Sequence, residues 1–179
     1  MPLSDSWQTA EMPGPKKASL IIKPDIADAM LRRAKRAVII AGHGVTEYDV
    51  ENRKLIDYII DLARKAGIPV VVTAGTNLEF TKRGFSPSAV MPAVDIANRL
   101  TDPGWKGLDG NGPYDLAIFV GLPYYMEWTI LSGLKHFAPH LKTMTLDCVY
   151  QPNASWSFPN STIKDWSANL RVIVDNLSD

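Results

Sequence analysis

Cysteine is nearly missing: among 179 residues only Cys148 carries a thiol. A lone cysteine excludes an intrachain disulfide. It also excludes an iron–sulfur cluster, which needs about four thiolate-type ligands. Histidine is scarce too. His136 and His140 stand four positions apart, but Pro139 intervenes and no carboxylate neighbours them, while His43 is isolated; imidazoles near a helix end suit the negative pole of its dipole. No metal site is expected on this chain. Nor is there a surplus of either charge, with 19 basic side chains against 19 acidic, so nucleic-acid binding, which draws on a basic surface, is not expected. Long apolar runs are lacking: Ala37–Ala41 and Leu116–Val120 fall far short of the roughly 20 residues a bilayer requires. The N-terminal stretch has no apolar core of signal-peptide type. Neither membrane insertion nor export is expected, and the cytoplasm is the expected location.

What is present suits one soluble domain, with 46% apolar and 21% charged residues. Residues 1–18 hold Trp7 and three prolines without periodicity and read as an extended arm, leaving residues 19–179 as a single domain. Pro24 and Asp25 start a helix with Ile26, Met30, Leu31 and Ala34 inward. The wholly apolar Ala37–Ala41 is a strand covered on both faces. Thr46 and Asp49 have capping-box spacing ahead of a helix carrying Leu55, Tyr58, Ile59, Leu62 and Ala66, stopped by Gly67. Pro69–Thr73 is the next strand. A helix follows over about 88–100, with Pro92 as a candidate first turn, then a glycine-rich loop over 101–114. Strand Asp115–Val120, helix Tyr124–Phe137 (Ile130, Leu131, Leu134 and Phe137 inward) and strand Lys142–Asp147 come next. After a loop over 151–160, Thr162 and Asp165 open a last helix with Trp166, Leu170, Ile173, Val174 and Leu177 inward. Strands alternating with helices imply parallel pairing. The expected fold is α/β: a Rossmann-like three-layer α/β/α arrangement around a parallel sheet of four to six strands.

Ligands of such sheets collect at the carboxyl ends of strands, where strand order reverses. Here those ends supply Gly42, His43, Gly44, Thr73, Gly75, Gly121 and, in the last loop, Asn153, which form the candidate cofactor cleft. The usual dinucleotide fingerprint is broken. Glu47 occupies the place of the third glycine, and the second strand ends at Thr73 rather than at an acidic residue. A nicotinamide dehydrogenase is therefore not expected, whereas FAD held in another orientation stays compatible. No serine or cysteine lies in a nucleophile-elbow context, and no catalytic residue is assigned. Trp7, Trp105, Trp156 and Phe158 are candidates for a protein interface.

The segment LTDPGWKGLDGNGPYD (100–115) resembles the signature loop of the epsilon subunit of the archaeal acetyl-CoA decarbonylase/synthase, or carbon monoxide dehydrogenase/acetyl-CoA synthase, complex. Gln151-Pro152-Asn153-Ala154 with Ser157-Phe158 and Asn160, Lys35-Arg36, and the arm with Trp7-Gln8 and Gly14-Pro15-Lys16-Lys17 are similar as well. The resemblance spans nearly the whole chain. It implies a small Rossmann-like subunit of the DHS-like NAD/FAD-binding type, without catalytic residues or an intrinsic cofactor. Such a subunit pairs with a large alpha subunit that bears the nickel–iron–sulfur centre and interconverts CO and CO2, in an α2ε2 assembly. It implies a role in stabilising that assembly or in assisting electron transfer to FAD. Two readings remain beside it, a free-standing FAD- or nucleotide-binding protein and a detached regulatory domain that binds a small anion at the Gly42–Gly44 turn; the isolated chain could also self-associate as a homodimer.

Overall fold

A computed structural model of the chain describes residues 16–50 and 52–177; Trp7 and most of the arm expected over 1–18 lie outside the described residues. In chain order the strands are β1 (Ser19–Leu20), β2 (Ala37–Ala41), β3 (Asp49–Val50), β4 (Arg53–Lys54), β5 (Val70–Val72), β6 (Ala89–Val90), β7 (Leu116–Val120), β8 (Lys142–Thr145) and β9 (Trp156–Ser157). The helices are α1 (Pro24–Arg33), α2 (Leu55–Ala66), α3 (Asn77–Lys82), α4 (Ala93–Thr101), α5 (Tyr124–Phe137) and α6 (Ile163–Asn176). Seven strands form one sheet in the order β1-β9-β8-β7-β2-β5-β6, every neighbouring pair parallel. The expected three-layer α/β fold is the one observed. It is one strand wider than expected, because β1, β6 and β9 are two-residue strands too short to leave a period.

The side chains of the central strands alternate between two cores, as a pleat requires. Ile39, Ala41, Val70, Val72, Ile118 and Val120 pack toward α1, α2 and α6. Val38, Ile40, Val71, Ala117 and Phe119 pack toward α4 and α5. A strand buried on both faces has no polar position to spare, which is why β2, β5 and β7 read as unbroken apolar runs.

Helix ends follow local chemistry. Pro24 opens α1, with Asp25 in its first turn and Arg32 and Arg33 in its last. Gly67 ends α2 in the left-handed conformation at φ 65°. Thr162 Oγ1 accepts from the Asp165 amide and caps α6.

Three expectations are corrected. Thr46 and Asp49 do not begin a helix; Thr46 closes a short 3-10 turn, Asp49 starts a two-stranded antiparallel hairpin of β3 and β4, and α2 begins only at Leu55. The cap there comes from Asp57, whose Oδ2 accepts the Lys54 amide at 3.1 Å. Phe137 points outward and is 73% exposed, being the last residue of its helix. Ala18, assigned to the arm, is buried: its amide donates to Pro152 O, and its carbonyl accepts from the Tyr150 hydroxyl at 2.8 Å.

Candidate functional site

Chain order reverses between β2 and β7: β5 and β6 lie beyond β2, and β8, β9 and β1 lie beyond β7. Past the carboxyl ends of these two strands, where an open α/β sheet leaves room for a ligand, there is a cleft of about 370 Å3. Of the residues nominated from the sequence, His43, Gly44 and Gly121 line it, together with Glu47, Tyr48, Tyr124, Glu127, Asp147, Cys148, Gln151 and Trp166.

The glycines bring two turns into backbone contact. The Gly42 amide donates to Val120 O at 2.9 Å and the Gly44 amide to Gly121 O at 2.8 Å. A Cβ on Gly42 would stand 2.3 Å from Gly121 O, and one on Gly121 would stand 2.6 Å from the Val45 nitrogen. Gly121 also has φ 71°, a conformation that side chains disfavour. These residues are glycine because the turns cross this closely. Their amides are engaged, that of Gly121 with both carboxylate oxygens of Asp147 at 2.9 and 3.1 Å.

Beneath Gly121 lies a pair of acids. Glu127, in the first turn of α5, is completely buried, and neither of its oxygens receives a well-formed hydrogen bond from a protein donor. A carboxylate so placed loses its hydration without compensation. Burial first, and then the charge of Asp147, push Glu127 well above its ordinary value of 4.5. Asp147 is also raised by burial, but its hydrogen bonds with Glu127 and the Gly121 amide favour its charged form. Asp147 retains some exposed surface although its carboxyl is enclosed.

Cys148 is half-buried, and burial together with Asp147 raises its thiol; it is held as the unreactive form. Desolvation raises the Tyr48 hydroxyl as well. His43 is exposed at the rim, its Nε2 3.6 Å from Glu47 Oε1. Among the described residues, no three His, Cys, Asp or Glu side chains stand together as metal ligands.

The other candidate residues lie elsewhere. Thr73 and Gly75 follow β5 beside the cleft without lining it, with Thr73 Oγ1 3.0 Å from Thr76 Oγ1. Asn153 is buried beneath α5, its Nδ2 donating to Trp128 O at 3.4 Å. Phe158 is fully buried and unable to present its ring to a partner; Trp156 and Trp105 are half-buried, and Trp105 packs edge-on against Tyr114.

Sequence reasoning missed Glu127 and Asp147. Both had a signal. Asp147 stands just past β8, at the ligand-binding end of the sheet. Glu127 occupies the apolar stripe of α5, four residues before Leu131 and seven before Leu134, where a charged residue is out of pattern.

The loop with the specific resemblance sits at the opposite end of the sheet. The Asp115 carboxylate accepts the Lys35 and Arg36 amides, each at 2.9 Å. The Arg36 guanidinium grips Asp109 and stacks over the Tyr114 ring, 5.1 Å from its centroid. Asp109 also accepts from the Asn111 amide and side chain, and these donors hold its carboxyl well below its ordinary value. The Tyr114 hydroxyl accepts the Leu108 amide. This network fastens the loop to the amino ends of β2 and β7.

Residues 1–174 match the family model described as CO dehydrogenase beta subunit/acetyl-CoA synthase epsilon subunit. The chain is 36% identical over 160 residues to the acetyl-CoA decarbonylase/synthase complex subunit epsilon of Methanothermobacter thermautotrophicus, covering 89% of this chain and 88% of that one. It is 35% identical over 181 residues to subunit epsilon 1 of the same complex from Archaeoglobus fulgidus, covering 98% and 94%. The epsilon subunit of Methanothrix soehngenii is 34% identical over 155 residues, covering 86% and 80%.

Proposed function

The chain belongs to the CO dehydrogenase beta subunit/acetyl-CoA synthase epsilon subunit family, and from that premise we propose that it is a non-catalytic epsilon subunit of a cytoplasmic acetyl-CoA decarbonylase/synthase complex. Its partner is the large alpha subunit with the nickel–iron–sulfur centre, in an α2ε2 arrangement that this chain stabilises. One observation carries the reading: Cys148 is the sole cysteine of the chain, and burial keeps its thiol protonated. Thiolate-ligated metal chemistry must then reside on a neighbour. The completely buried Glu127 agrees, since in this conformation no reacting atom reaches it.

Assistance in electron transfer to FAD is the second role. The rings of Tyr48, Tyr124 and Trp166 around the cleft favour a planar guest; the carboxyls of Glu47, Glu127 and Asp147 and the engaged glycine amides oppose a pyrophosphate. A free-standing FAD- or nucleotide-binding protein meets the same obstacle. Affinity isolation of the tagged chain from its native extract tests the reading. The expected result is equimolar recovery of a large nickel- and iron-containing chain. Elution of the tagged chain alone contradicts it.

A further inference from the structure

The helix ends distribute charge unevenly. In a parallel sheet each crossover helix runs against the strands, so helix C-terminal turns gather at the amino ends of the strands. Those turns are basic here, with Arg32 and Arg33 in α1, Arg64 and Lys65 in α2 and Lys135 in α5. A helix dipole offsets only about half a charge at each such end, less than the one or two cations each turn carries. Two acids on this face, Asp109 and Asp115, are taken up by the chain's own donors: Asp109 by the Arg36 guanidinium, Asp115 by the Lys35 and Arg36 amides. A chain without net charge thus presents a basic amino end.

Within this face a groove of about 390 Å3 opens beside the first residues of β7, β8 and β9. Met30, Ala34, Leu116 and the half-buried Trp156 give it an apolar lining, and the exposed Arg33, His140 and Lys142 stand around it. Among the described residues, none of those three basic side chains has a hydrogen bond or ion pair. The Trp156 indole N–H is likewise unpaired, and it is not sealed from solvent. The only carboxylate in the lining is that of Asp115, whose two oxygens each hold a backbone amide. The groove therefore offers donors and positive charge, and its guest must bring acceptors.

We propose that this groove seats an acidic segment of the large neighbouring subunit, a carboxylate facing Arg33 and Lys142 and an apolar side chain lying against Trp156 and Met30. Cations without partners in the chain gain from a carboxylate and give up no existing bond. The apolar lining rewards burial of a side chain, which an inorganic anion does not supply. The volume stands near the low end of ligand sites, roughly 300–1,000 Å3, and suits one or two side chains better than a dinucleotide. The inference rests on the reading of the chain as a subunit and names a contact within that assembly.

Two measurements test it. In reconstituted complex at low salt, the double variant Arg33→Glu/Lys142→Glu is expected to attach to the large subunit about tenfold more weakly than wild type. Lys164→Glu, an exposed reversal in the first turn of α6 at the other end of the sheet, is expected to stay within about twofold. In the isolated wild-type chain, the Trp156 indole N–H resonance, assigned by its loss in Trp156→Phe, reports on the groove. The blocked dipeptide N-acetyl-leucyl-glutamyl amide is expected to shift it saturably at millimolar concentrations, while the glutaminyl counterpart leaves it in place. Should the double variant lose its near-UV circular dichroism, the wild-type titration decides. A resonance that ignores the acidic dipeptide, or that answers a thymidine oligonucleotide at lower concentration, overturns the proposal. A folded double variant that attaches as tightly as wild type overturns it while leaving the subunit reading intact; absence of any wild-type attachment overturns both.

Discussion

Glu127 and Asp147 give the protein a charge state that depends on burial. Glu127 is raised well above 4.5 in the folded chain, so the native state binds a proton that the unfolded chain releases. Stability from this group is complete below about pH 4.5 and declines as pH climbs toward the folded-state value. Glutamine mimics the protonated acid. Glu127→Gln is therefore expected to match wild type in urea unfolding at about pH 5 and to become progressively the more stable of the two toward about pH 8. Parallel pH curves for both proteins would contradict a protonated Glu127. Part of this site was legible in the sequence. Strand ends placed His43, Gly44 and Gly121 in one cleft; Asn153, Thr73 and Gly75 were nominated by the same rule and lie outside it. A rule about strand ends locates backbone and does not say which side chains reach inward.

At the scale of elements, the strands buried on both faces were the most legible, because β2 and β7 admit no polar residue. The N-terminal ends of α1 and α6 were legible for a local reason: Pro24 at the first helical position and the cap Thr162 act within one turn of their own position. The start of α2 was not. Thr46 and Asp49 had cap spacing, but the hairpin of β3 and β4 intervenes, and Asp57 takes over the cap while also accepting Arg83 Nε at 2.9 Å. That competition is tertiary and leaves no local trace. The 101–115 loop belongs to this scale too. Its glycines permit the turns, while Arg36 supplies the clamp from 73 residues away. Arg36→Ala is expected to speed hydrogen exchange at Leu108 and Gly112 about tenfold or more, while the Gly121 amide keeps its protection. Unchanged exchange in the loop would show that the glycine-rich turns hold themselves.

The whole molecule places two kinds of structure at opposite ends of one sheet. The amino ends of β2 and β7 carry the fastened loop; their carboxyl ends carry an acid-floored, aromatic-walled cleft. The three-layer architecture followed from alternating apolar runs and helical stripes, and the membership followed from similarity along most of the chain. What a single sequence withholds is the partner's surface, since rings nominated for an interface, such as Trp105 and Trp156, are also wanted within the chain. The central claim of the proposed function is that a chain with a single cysteine contributes contacts, and its neighbour the chemistry. CO-dependent dye reduction, measured on this polypeptide after its separation from the large subunit, tests that claim most directly. The account predicts no turnover by this chain and full retention of the activity by the large subunit; turnover of CO by the separated small chain would contradict it.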